Sequence, residues 1–199
     1  MLKANFITAQ EAAEKIQDGS TLCTIGMTLV SASESILKAI EKRFETVGHP
    51  ADITLVHSCG QSDRKDGIQH LAHEGLVKRI VGSHWGLQPR WMEMIANSQV
   101  EAYCLPQGQI AQLYRSMACG LPGKMSKVGL GTFIDPRVEG GKMNDRTKPL
   151  PDIVDILEYG GEEYMFYKEI PLDTVLIRGT VCDEMGNLTT TEEAMKLEV

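Results

Sequence analysis

Between residues 8 and 118 short β-prone runs and helical runs take turns along the sequence. TAQEAAEKIQ (8–17) opens with Thr8 and Glu11 at capping-box spacing and stops at Asp18-Gly19. STLCTIG (20–26) reads as a strand, and SASESILKAIEKRFE (31–45) as a helix with Ile36, Leu37, Ile40 and Phe44 on one face. DITLVHS (52–58), VKRIVGS (77–83) and VEAYCL (100–105) are further strands. A short helix lies between Gly67 and Gly75, and longer ones cover 89–98 and 109–118. Strands joined through helices run parallel. The prediction is an α/β fold: a mainly parallel sheet with helices on both faces, plus a β-rich C-terminal segment.

The rhythm breaks at residues 120–151, where six glycines from Gly120 to Gly141 and four prolines leave few helical signals. So long a loop in a compact domain points to function. Past it, two strands are expected around Gly160-Gly161 and two more around Glu184-Met185-Gly186-Asn187. TTEEAMKLEV ends the sequence with no closing structure, so the 199 residues are expected to be a piece of a longer chain.

Charge narrows the partners. With 27 acidic and 20 basic residues the net charge is −7, which argues against nucleic acid or an anionic membrane as the main partner. No run approaches a membrane span, and the N-terminus lacks a signal peptide's basic head and apolar stretch. The five cysteines are scattered, without a C-x-x-C pair. Buried thiols, a reducing compartment and a cytoplasmic location are expected.

Candidate chemistry collects at the ends of the predicted strands. In YCLPQGQIAQLYR (103–115), Gln107 and Gly108 stand at a strand tip, which in an open α/β sheet faces the ligand crevice. Gln107 faces a ligand group there or caps the helix that follows. Gly26 and Met27 lie in TIGMTLVSASES (24–35), either a ligand contact or a plain connection with Ser31 or Ser33 as N-cap. Gly129, Gly131 and Thr132, in KVGLGTFIDPRVEGG (127–141), suit the wall of an acyl pocket or donors to an oxyanion; the alternative is a bulge or turn. His70, His73 and His84 lack the partners of a recognisable metal spacing, so no metal is expected and they are read as local hydrogen-bonding groups. Neither a G-x-S-x-G nor a cysteine beside an evident base is present, so a nucleophilic triad is not expected.

Taken together, LPQG before a helix, then VGLGTF-DPR-EGGK-N, then RGT-DE-GN-T, resembles the N-terminal half of family I coenzyme A transferases, and most of all the propionate/acetate (short-chain acyl) group. The resemblance runs from about Ile7 to the C-terminus. It implies one of two similar α/β halves, with residues 1–199 as the N-terminal domain. It also implies transfer of CoA between carboxylic acids through a glutamate that forms a mixed anhydride and then a glutamyl-CoA thioester. That glutamate belongs to the second half, so no catalytic residue is expected here and the lone chain is expected to be inactive.

By the same resemblance Gln107 points toward the other half's glutamate, and Gly26, Met27, Gly108, Gly129, Gly131 and Thr132 line the acyl side. A coenzyme A thioester is the substrate, with no permanently bound cofactor. The partners are the C-terminal half, acyl-CoA and short carboxylic acids, as in acetate, propionate or ketone-body metabolism. The complete enzyme is expected to be a homo-oligomer. Glu158-Tyr159-Gly160 imitates the nucleophile's surroundings but fits an exposed hairpin better. Two rival readings are a sugar-phosphate-binding or isomerase-like α/β domain, and a purely structural subunit.

Overall fold

Thr8 opens helix α1 (Ala9–Lys15) with the expected capping box: its hydroxyl accepts from the Glu11 N–H, and Glu11 accepts from the Thr8 N–H at 2.8 Å. The computed structural model describes residues 3–193; Ala194 to Val199, in the sequence's last run, lie outside the described residues. Next come β1 (Thr21–Thr24), α2 (Glu34–Val47), β2 (Ile53–His57), a 3-10 turn (Gly67–Leu71) and β3 (Val77–Gly82). After them follow α3 (Pro89–Ala96), β4 (Glu101–Cys104) and α4 (Gln107–Ala118). Helix α2 stops at Gly48, whose φ of 75° a residue with a side chain disfavours. Helix α3 starts on Pro89, which needs no N–H at that position.

The remaining strands are β5 (Gly123–Ser126), β6 (Val154–Tyr159), β7 (Glu162–Lys168), β8 (Thr174–Leu176), β9 (Val181–Cys182) and β10 (Leu188–Thr189). The main sheet has five strands in the order β4-β3-β2-β1-β8, all parallel. Its register puts like residues in rows. Leu22, Leu55, Ile80 and Ala102 align across four strands and enter one core. The row beside it, Cys23, Val56, Val81 and Tyr103, enters the other. Alternation along each strand therefore feeds two cores.

On the first face the sheet meets α1, α2, the 3-10 turn and α3 through Ala13, Leu37, Ile40, Leu71, Trp91 and Ile95. Ile36 and Phe44 complete the predicted stripe on α2. On the second face Ile110 of α4 shares the core with Val154, Met165 and Tyr167 from the antiparallel sheet β5-β7-β6. Helices thus lie on both faces, and a small sheet sits beside α4.

Two sequence expectations change. The long loop contains β5, and its later part runs along the open edge of β4: Cys104 N–H donates to Gly141 O at 2.7 Å, Met143 N–H to Ala102 O at 3.0 Å, and Ala102 N–H to Thr147 Oγ1 at 2.7 Å. Buried Asn144 fixes that run by donating to Ile95 O and Val100 O, both at 2.9 Å. An edge strand left bare would pair with other chains, so this stretch has a structural task. In the second change, Thr174–Leu176 joins the main sheet beside β1, while the turn at 183–187 joins only the two-residue strands β9 and β10.

Candidate active site

The parallel strands β1 to β4 all end at one edge, and the loops leaving them enclose a cleft of about 540 Å³. This is where an open parallel sheet holds ligands. Met27 and Thr28 follow β1, Cys59 and Gly60 follow β2, and Ser83, His84 and Leu87 follow β3. Cys104 ends β4, and Leu105, Pro106 and Gln107 lead from it into α4. Phe133 and Ile134, from the long loop, close the remaining side.

Backbone bonds tie these loops to one another. Thr28 N–H donates to Gly60 O at 2.7 Å, and Leu105 N–H to Gly82 O at 2.9 Å. Gly26 has φ 137°, and a Cβ there would lie 2.7 Å from Val30 O. Only glycine fits that approach. Thr28 and Ser31 follow at φ 53° and 61°, uncommon for residues with side chains, so the loop after β1 is held in a strained shape.

Gln107 is the first residue of α4, two positions earlier than the sequence pattern put the helix start, and its side chain is half-buried on the cleft wall. Pro106 is the N-cap, and among the described residues α4 has no side-chain cap hydrogen bond. The helix-capping alternative thus finds no support in the geometry. Gly108 differs from the expectation: it is helical and exposed, has open space where a Cβ would go, and does not line the cleft.

In the long loop the cleft-facing residues are Phe133 and Ile134 rather than Gly129, Gly131 or Thr132. The last three build the turn beneath them. Thr132 Oγ1 donates to Gly129 O at 2.8 Å, and Gly131 N–H donates to Asp135 Oδ2 at 2.9 Å. The Gly131 N–H and the Thr132 hydroxyl are therefore committed within the loop. Gly129 keeps its own constraint, since a Cβ there would stand 2.6 Å from Tyr167 Oη.

Beneath the cleft, His57 is fully buried, donates from Nδ1 to Cys59 O at 2.7 Å, and has no partner at Nε2 among the described residues. Burial lowers its pKa to about 4, against the hydrogen bond to Cys59, which raises it. The imidazole is neutral at pH 7. Burial also pushes the Cys104 thiol up to about 11, which leaves it a poor nucleophile. His84 lines the cleft, a position that the sequence reading weighs for metal binding or a local hydrogen bond and not for a ligand. The strand-tip rule that singled out Gln107 applies equally to His84, two residues past β3.

The other candidates lie elsewhere. His70 and His73 join α2 to the 3-10 turn: His70 binds Glu41 through Nδ1 and Glu34 through Nε2 at 2.9 Å, and His73 binds Glu41 at 2.9 Å. Glu158 is exposed near the β6–β7 hairpin, opposite Glu163, and does not line the cleft. Among the described residues no helix is long and apolar enough to cross a membrane.

Comparison with known proteins follows the same lines. Residues 6–199 match the family model described as Coenzyme A transferase. Caffeate CoA-transferase of Acetobacterium woodii is 43% identical over 187 residues, which cover 94% of this chain and 35% of that protein. The α subunit of acetate CoA-transferase from Escherichia coli K12 is 25% identical over 94% of this chain and 76% of the subunit. Among solved structures, an acyl-CoA transferase from E. coli O157:H7 (YdiF), described as a thioester complex with CoA, superposes with TM-score 0.91 at 36% identity. That match covers 96% of this chain and 37% of the other. The chain thus spans little more than a third of the caffeate enzyme and of YdiF.

Proposed function

The chain belongs to the coenzyme A transferase family, and we propose that residues 1–199 form the N-terminal half of a short-chain acyl-CoA:carboxylate CoA-transferase of the acetate or propionate type. The observation that carries this reading is Gln107: its amide stands on the wall of the strand-end cleft and caps no helix. An amide N–H donates to a carboxylate and orients it without the full charge of lysine or arginine, which would blunt its nucleophilicity. In this proposal the carboxylate is a glutamate of the complementary half.

The glutamate attacks the thioester carbonyl and forms a mixed anhydride as CoA leaves as thiolate. The thiolate then attacks the glutamyl carbonyl, giving the enzyme thioester and the free acid. A second acid reverses both steps. This chain contributes an apolar wall (Leu87, Leu105, Phe133, Ile134), the shape fixed by Gly26 and Met27, and the orienting amide. Gly129, Gly131 and Thr132 build the turn that carries Phe133 and Ile134 to that wall, and Gly108 lies outside the cleft.

The partners proposed are the complementary half, acyl-CoA and short carboxylic acids, in a cytoplasmic homo-oligomer. A sugar-phosphate site wants a lysine or arginine near glycine-rich phosphate loops, and among the described residues the cleft wall carries neither. The test is to incubate the chain with acetyl-CoA, alone and with the complementary half, and to locate any CoA adduct by mass. The reading expects an adduct on a glutamate of the added half and none on this chain alone. An adduct on Glu158 or elsewhere in this chain contradicts it.

A further inference from the structure

We propose that His84 receives the carboxylate of the free acid in the cleft and thereby sets the preference for anionic acceptors. The inference rests on the transferase reading above. A carboxylate entering an apolar wall loses water, and only strong, preferably charged, donors offset that loss.

The cleft's side-chain donors are few, and most are committed. The Thr28 hydroxyl donates to Met27 O at 2.6 Å. The Ser83 hydroxyl donates to Ser58 O. Cys104 Sγ is turned to Ser83 O at 3.6 Å, and thiols are weak donors in any case. Gln107 is assigned to the glutamate. His84 remains, exposed on the wall and without a side-chain hydrogen bond among the described residues.

Its place is built by glycine. A Cβ at Gly60 would lie 2.6 Å from His84 Nδ1, and one at Gly86 would lie 2.9 Å from Nε2. Either side chain would push the ring away. The titratable groups packed around it are His57 and Cys59 from the end of β2 and Cys104 from β4. His57 is neutral and Cys104 is a thiol, so neither competes for the carboxylate nor ties up the His84 ring. No aspartate or glutamate lines the cleft among the described residues. The His84 ring therefore has its N–H free for a substrate carboxylate.

The thioester carbonyl of the donor carries no charge, so His84 acts on the acid and not on acyl-CoA binding. The experiment measures steady-state kinetics of the assembled transferase with propionyl-CoA as donor and acetate as acceptor, for the unaltered protein, His84→Ala and His84→Gln. For His84→Ala the KM for acetate is expected to rise roughly ten- to hundredfold, the loss of one charge-assisted hydrogen bond. The KM for propionyl-CoA should stay within about twofold, the uncharged thioester making no such bond. His84→Gln keeps an N–H donor, so it should recover most of that rise in the KM for acetate. An unchanged KM for acetate in His84→Ala, or equal rises for both substrates, overturns the inference. Failure of the unaltered protein to form any CoA thioester overturns the transferase reading and the inference with it. That failure shows in the unaltered protein, before any His84 variant is compared.

Discussion

Asp135 holds Gly131 in place: its Oδ2 accepts the Gly131 N–H at 2.9 Å from a side chain only 1% exposed. Arg137 closes the other side of the carboxylate, with Nη2 at 2.8 Å from Oδ2 and Nε at 3.0 Å from Oδ1. The turn that carries Phe133 and Ile134 to the cleft hangs on this carboxylate.

Asp135→Ala should therefore destabilise the protein by about 1–3 kcal/mol, the usual loss when a buried hydrogen-bonding group is orphaned. The Arg137 side chain, then the Gly131 and Arg137 backbone N–H groups, hold the Asp135 carboxyl well below the usual carboxylate range despite its burial. A depressed carboxylate stabilises the fold above its unfolded value of about 3.9 and loses that contribution as pH falls further. Urea midpoints at pH 7 and pH 3 should differ less in Asp135→Ala than in the unaltered protein.

The two glycines of the loop should respond differently. Gly131 has φ 69° with open space around it, so Gly131→Ala should cost only about 1–2 kcal/mol of backbone strain. Gly129 has φ 100° and faces Tyr167 Oη, whose hydroxyl donates to Val128 O at 2.6 Å. Gly129→Ala adds a collision with that buried tyrosine and should be the more damaging by chemical denaturation.

Two histidines should bend the pH–stability curve in opposite senses. His57, lowered by burial to about 4, leaves the unfolded chain holding the extra proton between about pH 6.5 and 4. Stability is thus lost as pH falls through that window, on the order of 3 kcal/mol in all. His57→Gln should flatten this arm. His70 is also opposed by burial, but Glu41 and Glu34 outweigh it and raise its pKa. Its contribution is complete below about pH 6.5 and fades as pH rises through the raised folded value. His70→Ala should lose more stability at pH 6 than at pH 9. Calorimetric melting across pH reads both.

The sheet was legible because its signals are local. Leu22, Leu55, Ile80 and Ala102 sit in short runs between helices, and the Thr8–Glu11 box and Gly48 mark helix ends. The long loop was not, because its structure is set by distant partners: Asn144 and Thr147 are ordered by β4 and by Ile95. Gln107 could be placed by the strand-tip rule alone. For GLGTF the glycines marked a turn correctly, but which side chain faced the cleft depended on the Asp135–Gly131 bond, invisible at the level of motif. His84 carries the same strand-tip signal as Gln107, but a histidine read as a metal ligand or a local hydrogen-bonding group does not point to the cleft.

The central claim is that the Gln107 amide acts on the glutamate of the complementary half, and single-turnover kinetics of Gln107→Ala in the assembled transferase test it most directly. Rapid quench with acetyl-CoA reads the rate of enzyme–CoA thioester formation, while binding of acetyl-CoA and the melting temperature are measured alongside. Because Gln107 makes no cap bond, stability should be unchanged, and binding should shift little. The thioester should form about a hundredfold more slowly, the usual effect of removing one positioned donor. A rate within about twofold of the unaltered protein, or a slow rate explained by weaker binding or a lower melting temperature, would contradict the claim.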